Sequence, residues 1–275
     1  MSTALSHQVT LTDDELRVVA PRAGVHDLPT VLASRPRYET IADREAVYER
    51  AARDLFARNL IVGDTVHPEL VSVLQALHRP DRELAMRMVT PDGIARISLV
   101  RRGTLCVLVR RIADEILLRT VGHGIELRDV ASALLAELPQ ARPADVHPVA
   151  APLQELVESL TGTHDPMELA DRIRALGAEP HAAMLLGAAL SSRQAFGEIV
   201  YHALADAEDR ISRGPAAVGV FYTKRGRIIG VPSASPTGQL WSTLKAGSDH
   251  ALGQAISQLV ELADENWSNL GGNGF

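Results

Sequence analysis

The chain has 275 residues, 34 acidic against 28 basic side chains, and a formal net charge of -6. An acidic chain lacks the cationic footprint of a nucleic-acid binder, and a hydrophobic fraction of 46% with 23% charged residues marks a packed globular protein rather than a disordered one. One cysteine, Cys106, excludes an internal disulfide and a zinc site of several thiolates.

The first eight residues are polar, with no apolar stretch after a basic start, so no secretory signal is expected. Thr12-Asp13-Asp14-Glu15 has the spacing of a capping box and predicts a short helix to about Ala20, followed by a Pro/Gly-containing connector from Pro21 to Pro36. Helical spacing recurs from Ile41 to Asn59, and again from Pro68, where Leu70, Val73, Leu74 and Leu77 share a face. The period then changes. Strands are expected at Glu83–Val89, Ile94–Val100, Thr104–Val109 and Glu115–Thr120. Turns at Asp92-Gly93 and Arg102-Gly103 are short enough for an antiparallel meander. The basic pairs Arg101–Arg102 and Arg110–Arg111 read as solvated strand ends. An amphipathic helix from Glu126 to Leu138 closes the first half.

Residues 140–152, with Pro143, Pro148 and Pro152, read as a linker between an N-terminal half, 1–139, and a C-terminal half, 153–265, with a flexible tail at 266–275. The second half repeats the order: helices at Leu153–Thr161, Pro166–Leu176 and Pro180–Leu190, the last too short to span a bilayer. Strands follow at Arg193–Leu204, Ala217–Thr223, Arg227–Val231 and Leu240–Leu244, then a helix capped by Ser248 and running to about Leu262. The pattern predicts an α+β protein with a pseudo-two-fold duplication: helices, antiparallel β-meander, helix, with a central antiparallel sheet and flanking helical bundles.

Chemistry is hard to find in this chain. There is no phosphate-binding glycine loop, no Gly-x-Ser-x-Gly elbow and no His-x-x-x-His pair. Cys106 sits in the apolar run Leu105–Leu108, which suits packing better than a reactive thiolate. His67, His147 and His181 adjoin prolines, where capping and surface roles fit, while His202 and His250 could each meet a carboxylate. Asp206, Glu208 and Asp209 stand beside Arg210 and Arg213 in a polar turn. These residues leave open a binding module for a protein partner, an α+β domain for a small ligand or regulator, which would need an enclosed pocket, and an enzyme with an unrecognised site.

One stretch carries a family signature. Gly226-Arg227-Ile228-Ile229-Gly230-Val231-Pro232-Ser233-x-Ser235-x-x-Gly238-x-x-Trp241-x-x-Leu244-x-x-Gly247, followed by the helix Ala251–Leu262, resembles the C-terminal signature of the EspG family. Leu11-Thr12-x-x-Glu15-Leu16, Pro29-x-x-Leu32, the Arg/Ala-rich helix ending in Leu60-Ile61, and Leu138-Pro139 followed by Pro143 are similar too. Lys245-Ala246-Gly247 departs from the pattern, which has a proline before the glycine.

The resemblance implies a cytoplasmic chaperone without catalytic activity or cofactor. It would bind the apolar helical tip of the PPE protein in a PE–PPE heterodimer and direct the pair to its ESX (type VII) secretion system, meeting the secretion ATPase only indirectly. The chain has no Tyr-x-x-x-Asp/Glu export signal and no Trp-x-Gly, as fits a handler of cargo. Interface hot spots favour Trp and Tyr, and a surface that masks an apolar patch must itself be apolar. On that ground the expected client contacts are Phe221, Tyr222, Leu259 and Leu262, with the turns Asp92-Gly93 and Arg102-Gly103 reaching the client as well.

Overall fold

A computed structural model describes residues 8–33, 38–205, 210–263 and 266–268. The chain divides into two compact units. The first holds the described residues up to Ala85 together with Ala95–Ile125; the second holds Met86–Ile94 and the described residues from Glu126 onward.

The first unit opens with strand β1 (Gln8–Thr12) and helix α1 (Asp13–Arg22). The capping box forms: the Glu15 amide donates to the Thr12 hydroxyl (3.1 Å) and the Thr12 amide to the Glu15 carboxylate (2.8 Å). Helix α2 (Ile41–Ala57), the small hairpin of β2 (Ile61–Val62) and β3 (Thr65–Val66), and helix α3 (Pro68–His78) follow. His67 caps α3, its Nδ1 accepting from the Glu69 amide. A meander of β4 (Arg82–Thr90), β5 (Gly93–Arg102), β6 (Leu105–Ile112) and β7 (Glu115–His123) comes next. The strand order is β1-β7-β6-β5-β4, with Leu11 opposite Ile116. Leu16 and Leu55 from the helices, and Leu70 and Leu74 from α3, pack with Val100, Val107 and Val109 into one core.

Three features of this unit differ from the sequence reading, the first being the β2–β3 hairpin at 61–66, which was not expected. The strand at Gln8–Thr12 was not expected, although Gln-Val-Thr-Leu-Thr alternates polar and apolar; the capping box that begins at its last residue drew the reading to the helix. The basic pairs are not wholly solvated: Arg101 and Arg111 are buried, because successive residues of a strand face opposite ways and one member of each pair must point inward. Arg111 is satisfied there by the Asp13 carboxylate (3.0 Å) and the Leu32 carbonyl (3.0 Å).

The second unit begins with α4 (Leu127–Leu135), then β8 (Val149–Pro152), α5 (Leu153–Ser159), α6 (Pro166–Ala175) and α7 (Pro180–Leu190). Its meander runs through β9 (Arg193–Ala205), β10 (Arg210–Thr223), β11 (Gly226–Ala234) and β12 (Leu240–Ala246), and α8 (Asp249–Glu261) closes it. The order is β4-β9-β10-β11-β12-β8, with β4 represented by its Met86–Thr90 end. Strand alternation divides the helices between the faces. Phe221, Ile228 and Leu244 share a core with Leu156, Leu169, Ile173 and Leu186 of α5–α7. Helix α8 packs on β9, β10 and β11 from the other side, and against α4. The architecture is the expected α+β one, with antiparallel meanders and helices before each.

The stretch expected as a linker is bound into this unit. Val149–Leu244 and Ala151–Ser242 are cross-strand pairs, and Pro143 bridges to Arg227. Three prolines suggested a linker; instead Pro148 precedes an edge strand and Pro152 ends it, where a missing amide hydrogen costs nothing. The polar turn 206–209 and most of the 266–275 tail lie outside the described residues, whereas Trp267 is buried.

The residues that carried the family resemblance tie three segments together. The Arg227 side chain donates through Nε to the Gly247 carbonyl (2.6 Å) and pairs with Asp249 at the start of α8. Its backbone exchanges hydrogen bonds with Arg142 and Ala144. At Gly226, φ is +122° and a Cβ would lie 2.8 Å from the Arg142 carbonyl oxygen, so only glycine fits.

Candidate partner-binding groove

A cavity of about 860 Å³ lies in the second unit, on the face of its sheet that carries α5–α7. Its floor is the aromatic pair Phe196 and Phe221, directly opposite each other on β9 and β10, with ring centroids 5.1 Å apart. Gly219 makes room for them: a Cβ there would sit 3.2 Å from the Phe221 ring. One wall is the end of α5 and the loop after it, Val157 and Leu160–His164; the other is the β4–β5 hairpin at Val89, Thr90 and Pro91. Val157 is 52% exposed and Val89 36%, so the rim offers apolar surface to solvent.

The loop wall is fastened locally. Asp165 caps α6 by accepting from the Met167 and Glu168 amides (2.9 and 2.8 Å). Thr163 donates its hydroxyl to Glu168 (2.6 Å), and Arg172 donates both to Glu168 (2.6 Å) and to the Thr161 carbonyl (2.7 Å). The Thr163 hydroxyl, and then Arg172, hold the Glu168 carboxyl below the usual carboxylate range. Its charge is thus engaged outside the groove, whose lining contains no carboxylate among the described residues.

The residues expected from sequence to meet a partner do not come together. Phe221 lies on the groove floor, and Asp92 and Gly93 are exposed at the hairpin whose neighbour Pro91 lines the wall. Tyr222, one residue on from Phe221, faces the other side, where its hydroxyl donates to the Pro139 carbonyl (2.9 Å). Leu259 is completely buried on the inward face of α8, and Leu262 is half-buried just past its end; as a core residue, Leu259 has no surface to offer. Arg102 and Gly103 belong to the first unit, where Arg102 donates to the Gln75 carbonyl and the Gly103 amide to Asp81 (2.6 Å).

Sequence reasoning missed Val89, Val157 and Arg193, and did not commit to Phe196 among the aromatic residues of the second half. Val157 carried no readable signal, since with Leu153, Leu156 and Leu160 it completes an apolar stripe at i, i+3, i+4 and i+7 that reads as core. Nor did the Phe196–Phe221 pairing, because a register shift between Arg213 and Ala217 offsets β9 against β10.

Elsewhere the chemistry is structural. Burial pushes the Cys106 thiol up to about 11. His202 stands opposite Arg213 in the β9–β10 register, and burial followed by that charge lowers its pKa. Among the described residues no three His, Cys, Asp or Glu side chains could hold a metal ion, and no helix is long and apolar enough to cross a membrane.

The profile of the EspG family matches residues 12–258. The ESX-1 secretion-associated protein EspG1 of Mycolicibacterium smegmatis (strain ATCC 700084 / mc(2)155) is 28% identical over 269 residues, covering 94% of this chain and 89% of that protein. EspG1 of Mycobacterium tuberculosis (strain ATCC 25618 / H37Rv) is 28% identical over 263 residues, 92% and 87% of the two chains. The ESX-3 secretion-associated protein EspG3 of Mycolicibacterium smegmatis is 26% identical over 264 residues, 94% and 88%. Among solved structures, the Mycobacterium tuberculosis type VII secretion system chaperone EspG5, in complex with a PE25-PPE41 dimer, superimposes with a TM-score of 0.79 at 16% identity, covering 96% of this chain and 100% of that one. A match running from the cap of α1 into α8, over the fold of a solved member, places this chain in the EspG family.

Proposed function

We infer that the chain is a chaperone of ESX (type VII) secretion, which takes the apolar helical tip of a PPE protein, within a PE–PPE heterodimer, into the groove of its second unit. The observation that carries this is the groove itself: an aromatic floor and an apolar rim open to solvent, on a fold shared with a protein solved holding a PE–PPE pair. Masking a matching apolar tip keeps an aggregation-prone client soluble. A stable complex buries about 1,200–2,000 Å², so the contact extends past the groove onto its rim, including Asp92-Gly93. The reading assigns no catalytic step to the chain: its buried thiol is held protonated by burial, and no cofactor is required. The place of action is the cytoplasm, before export of the client.

The test is co-expression with each PE–PPE pair encoded in the same genome, followed by size-exclusion chromatography. The expected result is a stoichiometric complex with one pair, lost on Val157→Asp. If every soluble pair elutes apart from the wild-type chain, the reading fails, and the 860 Å³ cavity is better examined as a small-ligand site.

A further inference from the structure

The lining of the groove runs against the charge of the chain, although exposed Asp92 and Asp165 each stand one residue beyond it. In a protein with 34 acidic and 28 basic residues, the groove lining holds Arg193 and His164 and no carboxylate. Arg193 opens β9 beside the aromatic floor and is exposed. On β4, Arg87 stands two residues before Val89, so the two share a strand face, and it too is exposed. Among the described residues neither guanidinium has an ion-pair partner. The carboxylate farther along β9, Glu198, is already paired with Arg213 (3.0 Å), and Glu168 is committed to Thr163 and Arg172.

We propose that this groove selects, among apolar helical tips, those that carry a carboxylate beside the apolar anchor, and that Arg193 is the residue that reads it. The inference rests on the chaperone reading and narrows its client class. A planar guanidinium at the edge of an apolar floor suits bidentate pairing with an Asp or Glu side chain. A partner lying across the floor would shield that pair from solvent, raising its contribution above that of a freely exposed one. A tip with Lys or Arg at the same place would meet an uncompensated like charge, so Arg193 also rejects wrong clients.

The test measures binding of the co-eluting PE–PPE pair to the full chain, as wild type, Arg193→Ala, Arg193→Glu and Val157→Asp. It is run at low and high salt, with thermal melting as a folding control. Losing the pair should weaken binding by about fivefold in Arg193→Ala and at least about tenfold in Arg193→Glu, with the wild-type affinity falling as salt rises. Replacing the client's acidic tip residue by Lys should restore binding to Arg193→Glu. If Arg193→Glu binds within about twofold of wild type while Val157→Asp does not bind, the acidic selection is wrong and the chaperone reading stands. If no charge-swapped client recovers the variant, Arg193 does not read a carboxylate. A wild-type chain that captures no pair overturns both.

Discussion

At the scale of single residues, Val157 and Leu259 make opposite predictions from the same side-chain class. Val157 projects into solvent at the groove rim, so Val157→Asp should leave stability within about 0.5 kcal/mol, as surface substitutions do. It should weaken client capture at least about thirtyfold, the scale of an interface hot spot. Leu259 is completely buried, so Leu259→Asp should cost roughly 4 kcal/mol or more through a lost apolar contact and a buried charge. Denaturant titration beside a pull-down separates the two; a Leu259 variant that folds normally but fails to bind would restore α8 as a client surface. The distinction was not legible in the sequence. Helical periodicity marks both as apolar, and only the neighbouring elements decide which is covered. Phe221 and Tyr222 were a different matter, because strand alternation alone already places adjacent residues on opposite faces.

At the scale of elements, the eight helices and the eight meander strands were readable, for local reasons: proline at the first turn of α3, α6 and α7, side-chain caps at Thr12 and Ser248, and the period change at β4; the short strands β1, β2, β3 and β8 were not. How elements touch was not readable. Gly187 in α7 looks like a weak helix residue, but a Cβ there would lie 2.6 Å from the Pro166 carbonyl oxygen and 2.8 Å from the Ala170 amide. The α6 backbone lies directly against it. Gly187→Ala should therefore destabilise by about 1–3 kcal/mol, despite alanine's better helix propensity, because α6 must shift. Through α6 it should also loosen the loop that walls the groove; thermal melting that rose instead would mean the two helices have slack. Arg227→Ala removes the donor to Gly247 and the partner of Asp249. It should be among the most damaging substitutions in the second unit, checked by amide exchange of the α8 and 142–144 backbone.

At the scale of the whole molecule, acidity is a test of the buried polar groups. Burial raises the Glu83 pKa, against the hydrogen bond donated by Ser98 (2.5 Å). A buried acid with a raised folded pKa binds more protons folded than unfolded, so its contribution to stability falls as pH rises from the usual carboxylate range to that folded value. Glu83→Gln should thus be more stable than wild type at neutral pH, by a margin that vanishes in acid; a margin constant with pH would mean the carboxyl ionises normally. The sequence by itself determined the α+β class, the order of elements, the family and the absence of catalytic motifs, because these follow from local periodicity, capping and a linear signature. The tertiary structure alone decided which apolar residues remain uncovered, that 149–152 pairs into a sheet, and that a groove lined without carboxylates exists in an acidic chain. Those depend on strand register and on which helix lies over which face, and neither is encoded within a window of neighbouring residues.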